Sequence, residues 1–136
     1  MNLTELALQI ATEAHEGQTR NNGSPYIEHP KRVAAAVEDR LKPIALMHDI
    51  LENTKVTLLD LEKAGFPPYV LAAVDVLTHK HGDSNKVYWH KILTNPDAIK
   101  VKVVDIKDNM GDNPSDYAKA KYVRALDLFK KYGISI

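Results

Sequence analysis

Cysteine is absent from the 136 residues. That excludes thiolate metal ligands, disulfides and cysteine nucleophiles, and it fits an intracellular, cytoplasmic setting. Net charge is absent too: 18 Lys and Arg balance 18 Asp and Glu. No global field draws the chain to nucleic acid or to an anionic membrane, and neither is expected as a partner. A phosphate-bearing ligand therefore needs a local basic cluster. No stretch approaches the ~20 apolar residues that span a bilayer. Residues 1–6 (MNLTEL) lack the basic and apolar regions of a secretory signal. Repeats, low-complexity tracts and linkers are missing, so one domain over residues 1–136 is expected.

Hydrophobic residues make up 44% and charged residues 26%, as in an ordinary globular chain. At this length one core buries roughly two thirds of the surface that an unfolded chain exposes. Leu3, Leu6, Ala7, Ile10, Ala11 and Ala14 form an apolar stripe at helical spacing, closed by Gly17. Residues 18–28 are rich in turn formers and read as a loop. Pro30 is expected to open a helix carrying Val33, Ala34 and Val37, and Pro43 a second one through about Leu51. Thr57 and Asp60 fit a capping box on a helix that stops at Gly65. Pro67 and Pro68 start another, with Val70, Leu71, Val74 and Leu77 inward, and Ser84 caps a short helix through Leu93. Asn95 with Pro96, and Asn113 with Pro114, read as two N-cap plus N1-proline starts. The first leads into residues 97–110. The second leads into a last helix with Tyr122, Ala125, Leu126 and Phe129 on one face, ended by Gly133. Residues 101–104 have strand propensity, but the start at Asn95 and the polar periodicity behind it predict helix. The expected fold is an all-α bundle of about eight short helices.

His48 and Asp49 stand together in an apolar stretch from Pro43 to Leu51. Burying both is costly unless something charged holds them. With His29 upstream and Asp105 downstream, the chain offers two imidazoles and two carboxylates. That donor set suits manganese, iron or zinc. His48 and Glu52 are four apart and share a helix face; Asp49 and Asn53 repeat the spacing on the next face. Ala98, Val101 and Asp105 continue an inward stripe, with Asn109 one turn beyond, as where a core opens into a polar site. Each residue also has an ordinary reading. His29 or His48 fits a hydrogen-bonded core histidine, Asp105 a partner for Lys102, and Asn53 a helix C-cap. His79, Lys80 and His81 fit a solvated junction. Spacing alone leaves these alternatives open.

Residues 14–20 (AHEGQTR) and 21–27 (NNGSPYI), then His29, Pro30, Val33 and Ala34, resemble the opening of the HD-domain hydrolases of Rel/Spo type. Residues 48–54 (HDILENT) resemble their second block, and residues 101–105 (VKVVD) with 108–110 (DNM) their third. The resemblance runs from about residue 7 to 112, in order and with compatible spacings, and points toward the small single-domain alarmone hydrolases. It implies an HD-domain helical bundle in which His29, His48, Asp49 and Asp105 hold a divalent metal, expected to be manganese. Glu52 matches the acid that positions or deprotonates the attacking water. Arg20 matches a basic residue at the site mouth, and Asn109 a polar residue lining the nucleotide pocket. Apart from the resemblance, Arg20 and the cluster at Lys80 are expected to supply the local positive charge. The chain departs from the family at four places. Asn53 stands where an aspartate is expected, so the catalytic pair is Glu52 and Asn53. Asn21 stands where a lysine often follows, Asp108 where histidine is common, and Asp112 where threonine is frequent.

The implied reaction is metal-dependent hydrolysis of a phosphate or diphosphate ester on a small nucleotide. The leading substrate is guanosine 3′,5′-bis(diphosphate), cleaved at its 3′ diphosphate. Two rivals stand beside it: a nucleotide phosphomonoesterase of the HD superfamily, and a nucleotide-binding sensor made catalytically weak by Asn53.

Overall fold

Five of the nine α-helices start where a short polar side chain satisfies an amide that the first turn leaves free. In the computed structural model, which describes all 136 residues, Asn2 caps α1 (Leu3–Ala14) and Ser84 caps α7 (Asn85–Ile92). Thr57 and Asp60 form the expected reciprocal box at α5 (Leu58–Lys63). Asn95 caps α8 (Pro96–Met110), so residues 101–104 are helical as expected. The remaining helices are α2 (Glu28–Ala35), α3 (Lys42–Met47), α4 (Ile50–Asn53), α6 (Pro68–Leu77) and α9 (Asp116–Lys131). The architecture is all-α; its only β feature is an isolated bridge between Thr19 and Pro25. No helix is long and apolar enough to cross a membrane.

Three boundaries differ from the sequence reading. The helix expected from Pro43 through Leu51 breaks at His48 and Asp49 into α3 and α4, which brings the expected eight helices to nine. Asp49 relaxes to φ −106° and ψ −1° there. The last helix is capped by Ser115, whose hydroxyl accepts from the Ala118 amide, and not by Asn113. Asn113 takes φ +50°, a left-handed turn conformation that asparagine tolerates, so the chain is still turning at Pro114. Pro30 lies inside the first turn of α2, which begins at Glu28 and ends before Val37.

The core gathers 25 buried apolar residues around α3. Pro43, Ile44, Ala45, Leu46 and Met47 are all buried, which makes α3 the axis of the bundle. Helices α1, α2, α6 and α8 pack on it. Burying a side chain such as Ile44 or Met47 contributes about 1.5–3 kcal/mol. This packing fixes the C-terminal end of α3, the first turn of α2 and the middle of α8 at one place.

Candidate metal centre

His48 terminates the central helix, and its Nδ1 lies 2.6 Å from the Ala45 carbonyl oxygen. A carbonyl only accepts, so Nδ1 carries a proton and Nε2 points away from the helix. His29, in the first turn of α2, has Nδ1 2.6 Å from an Asp108 carboxylate oxygen, which fixes the same tautomer. Both Nε2 atoms then meet Asp105 Oδ1, at 2.8 Å from His29 and 3.1 Å from His48. Asp49 Oδ2 lies 3.0 Å from His48 Nε2 and 3.8 Å from His29 Nε2. One ligand atom from each of the four residues lies within 4.8 Å of the others. His29, His48 and Asp105 are buried.

The donor set fits a divalent cation. With both Nδ1 atoms committed, each Nε2 either carries a second proton or turns its lone pair toward carboxylate oxygens. The second arrangement is repulsive unless a cation stands between them. Burial alone would push the His48 imidazole down, but Asp49 and Asp105 outweigh it and hold the ring well above its usual range. Burial would raise the Asp105 carboxyl, but Lys102 and His48 pull it well below the usual carboxylate range. Asp49 is likewise lowered, His48 outweighing burial. The cluster therefore keeps its charges where burial is expensive, and each charge depends on the others.

A set of supports surrounds it. Lys102 Nζ donates to Asp105 Oδ2 at 3.0 Å, so the ordinary reading of Asp105 as its partner is true alongside the metal arrangement. The Tyr26 hydroxyl donates to Asp49 Oδ2. Asn109 donates from Nδ2 to Asp105 Oδ1 at 3.3 Å and accepts from Arg20. Asp108, besides holding His29, accepts from Arg32 Nε and Nη2 at 2.8 and 3.0 Å. Asp108 and Tyr26 were not singled out for roles from the sequence. The available signal for Asp108 was its place one turn after Asp105 on the same helix.

A cavity of about 290 Å³ opens beside the cluster, with Asp49, Glu52, Lys102 and Asn109 among its walls. This lies at the lower end of ligand clefts. Glu52 sits on the cavity wall with one carboxylate oxygen, Oε1, accepting from the His79 amide. The His79 ring is stacked on Tyr88, with centroids 4.5 Å apart. Asn53 lies outside this cavity; its Nδ2 is 3.5 Å from the Tyr26 hydroxyl, and its carbonyl accepts from Gln18. Arg20 stands near the mouth but is engaged by Asp112 through Nε and Nη2 at 3.0 and 2.9 Å. Lys80 donates to Asp75 at 2.7 Å and is not part of the cavity wall, so the structure does not bring it to the site. His79 lines the cavity and Lys80 does not because Thr78 ends α6 in extended backbone and both residues follow outside any helix.

No protein-family model matches the chain. The bifunctional (p)ppGpp synthase/hydrolase SpoT of Escherichia coli K12 is 42% identical over 62 residues, 42% of this chain and 9% of that protein. A GTP pyrophosphokinase of Streptomyces coelicolor is 38% identical over 120 residues, 78% of this chain and 14% of that protein. The guanosine-3′,5′-bis(diphosphate) 3′-pyrophosphohydrolase of Borreliella burgdorferi is 35% identical over 85 residues, 59% of this chain and 13% of that protein. The chain thus spans 9% to 14% of the length of these curated relatives. A solved structure described as a metazoan ortholog of SpoT that hydrolyses ppGpp matches with a TM-score of 0.75 at 22% identity. It covers 99% of this chain and 98% of that one, so the two share a fold.

Proposed function

We propose that this chain, an HD-type domain of the Rel/Spo family, is a metal-dependent hydrolase of a small phosphorylated nucleotide. Its leading substrate is guanosine 3′,5′-bis(diphosphate), cleaved at the 3′ diphosphate. The observation that carries the reading is the convergence of His29, His48, Asp49 and Asp105, with ligand atoms within 4.8 Å of one another beside a polar cavity. Residues 1–136 act as one domain in this reading.

The four converging residues would hold the ion; this donor set suits manganese, iron or zinc, and the resemblance to the Rel/Spo hydrolases favours manganese among them. A bound divalent ion lowers the pKa of water and neutralises charge on phosphoryl oxygens. The chain supplies the rest. Glu52 has one oxygen fixed by the His79 amide, which leaves the other free to orient or deprotonate water at the cavity wall. Tyr26 and Lys102 hold Asp49 and Asp105, the two carboxylates, in place. Asn109 reaches the cavity from one turn beyond Asp105 and binds the nucleotide side of the substrate, with Arg20 behind it. Asn53 contributes by facing the Tyr26 hydroxyl, since an amide cannot serve as a base.

Chelator-treated protein given manganese and a nucleotide panel tests this reading. Pyrophosphate release from guanosine tetraphosphate supports it. Phosphate release from nucleoside monophosphates alone would make the chain a phosphomonoesterase. Binding without turnover would make it a sensor.

A further inference from the structure

Four cations stand near the cavity by sequence or by position, and three are committed to carboxylates. Arg20 is held by Asp112. Lys80 is held by Asp75. Lys102 is held by Asp105. The fourth is Lys121, on α9, which lines the same cavity as Asp49 and Asp105. It makes no ion pair and no hydrogen bond; its nearest aromatic neighbour is the Tyr122 ring, 5.2 Å from Nζ.

A diphosphate ester carries two phosphoryl groups. One would be hydrolysed beside the ion that His29, His48, Asp49 and Asp105 would hold. The other brings negative charge into a cavity whose walls already carry Asp49, Glu52 and Asp105. That charge requires a cation whose donors are free, because displacing Lys102 from Asp105 would leave a buried carboxylate uncompensated. The net-neutral chain offers no general field to substitute for it.

We propose that Lys121 is the residue that binds the second phosphoryl group of a diphosphate ester, and so makes the site prefer diphosphate over monophosphate esters. The proposal rests on the phosphohydrolase reading above. A free ammonium is a point charge with three donors, and phosphate oxygens accept charge-assisted hydrogen bonds from it. Arg20, which the sequence points to for this duty, instead braces Asn109 and the end of α8 through Asp112.

The test is titration of inorganic pyrophosphate into manganese-loaded protein freed of excess metal. Binding is read by calorimetry and by the fluorescence of Trp89, the only tryptophan and a cavity-wall residue. Lys121→Met should weaken pyrophosphate by about tenfold or more, the scale of one lost charge-assisted contact, and Lys121→Arg should restore most of the binding. Lys119→Met removes the same charge from an exposed site on the same helix and should change binding less than about twofold. In turnover, Lys121→Met should raise KM for a diphosphate ester more than for a monophosphate ester. Unchanged pyrophosphate binding in Lys121→Met, an equal loss in Lys119→Met, or no pyrophosphate binding by the unmodified protein overturns the proposal. The two readings can fail apart. Lys121-dependent binding with no nucleotide turned over sinks the hydrolase reading alone. Turnover with an unchanged KM in Lys121→Met sinks the Lys121 assignment alone.

Discussion

Replacing Asp108 with asparagine is expected to weaken metal binding while leaving all four ligands in place. Asp108 touches the centre only through His29, accepting from Nδ1 at 2.6 Å, and is itself held by Arg32. Burial would raise its carboxyl, but the bonds from Arg32 and His29 outweigh burial and keep it below the usual range, so it is ionised at neutral pH. Asparagine has one acceptor where aspartate has two. If its oxygen turns to His29, its amide hydrogens confront the Arg32 guanidinium; if it turns the other way, His29 loses its acceptor. In the better case the bond to His29 becomes neutral, about half as strong as the charge-assisted one. The Arg32 pair adds little, about 0–1 kcal/mol, because that guanidinium is half exposed. The main loss is in the orientation and basicity of the His29 ring, which costs about 10- to 100-fold in metal affinity. By the usual conversion that is about 1.4–2.8 kcal/mol. Competition against a fluorescent chelator measures it, with Arg32→Met as the comparison. An unchanged manganese Kd in Asp108→Asn, or an equal loss in Arg32→Met, would show that the Asp108 carboxylate does not act on the metal through His29.

Glu52→Gln should retain manganese while turnover falls by about 10²-fold or more, whereas His48→Ala should lose both. Metal content measured beside turnover separates them, and a Glu52→Gln protein without metal would make Glu52 a ligand. Asn53→Asp should raise turnover on guanosine tetraphosphate if the missing acid limits the reaction; no change on any substrate would remove that position from the chemistry. Asp60 is held below its usual range by its bonds with Thr57. A depressed folded pKa means that its contribution is present above the unfolded value, about 3.9, and fades as pH falls through the folded one. Asp60→Ala should therefore lower the melting midpoint at pH 7, with the gap to the unmodified protein closing toward pH 3.

The sequence revealed what local chemistry dictates and hid what only tertiary packing decides. The caps at Thr57, Ser84 and Asn95 were legible because side chain and amide lie within three residues. Asn113 misled because it and Ser115 are both good caps, and the left-handed turn at Asn113 delays the helix. The four converging residues were legible because burying His and Asp together demands a partner, and their order along the chain matched known motifs. The break between α3 and α4 was not, since nothing in the apolar run from Pro43 to Leu51 marks it. The supports were hidden for the same reason. Asp108 meets His29 across 79 residues and Tyr26 meets Asp49 across 23. The neutralisation of Arg20 by Asp112, 92 residues away, left Lys121 as the free cation, which no local pattern marks.

In the proposed function a divalent ion held by His29, His48, Asp49 and Asp105 drives hydrolysis at this cavity. Manganese content per chain, measured together with pyrophosphate release from guanosine tetraphosphate in the unmodified protein and in Asp105→Asn, tests it most directly. Bound manganese and metal-dependent release are expected in the first and neither in the second, with helical content preserved in both. An Asp105→Asn protein that keeps its ion and its activity, or an unmodified protein that releases pyrophosphate in excess chelator, would contradict it.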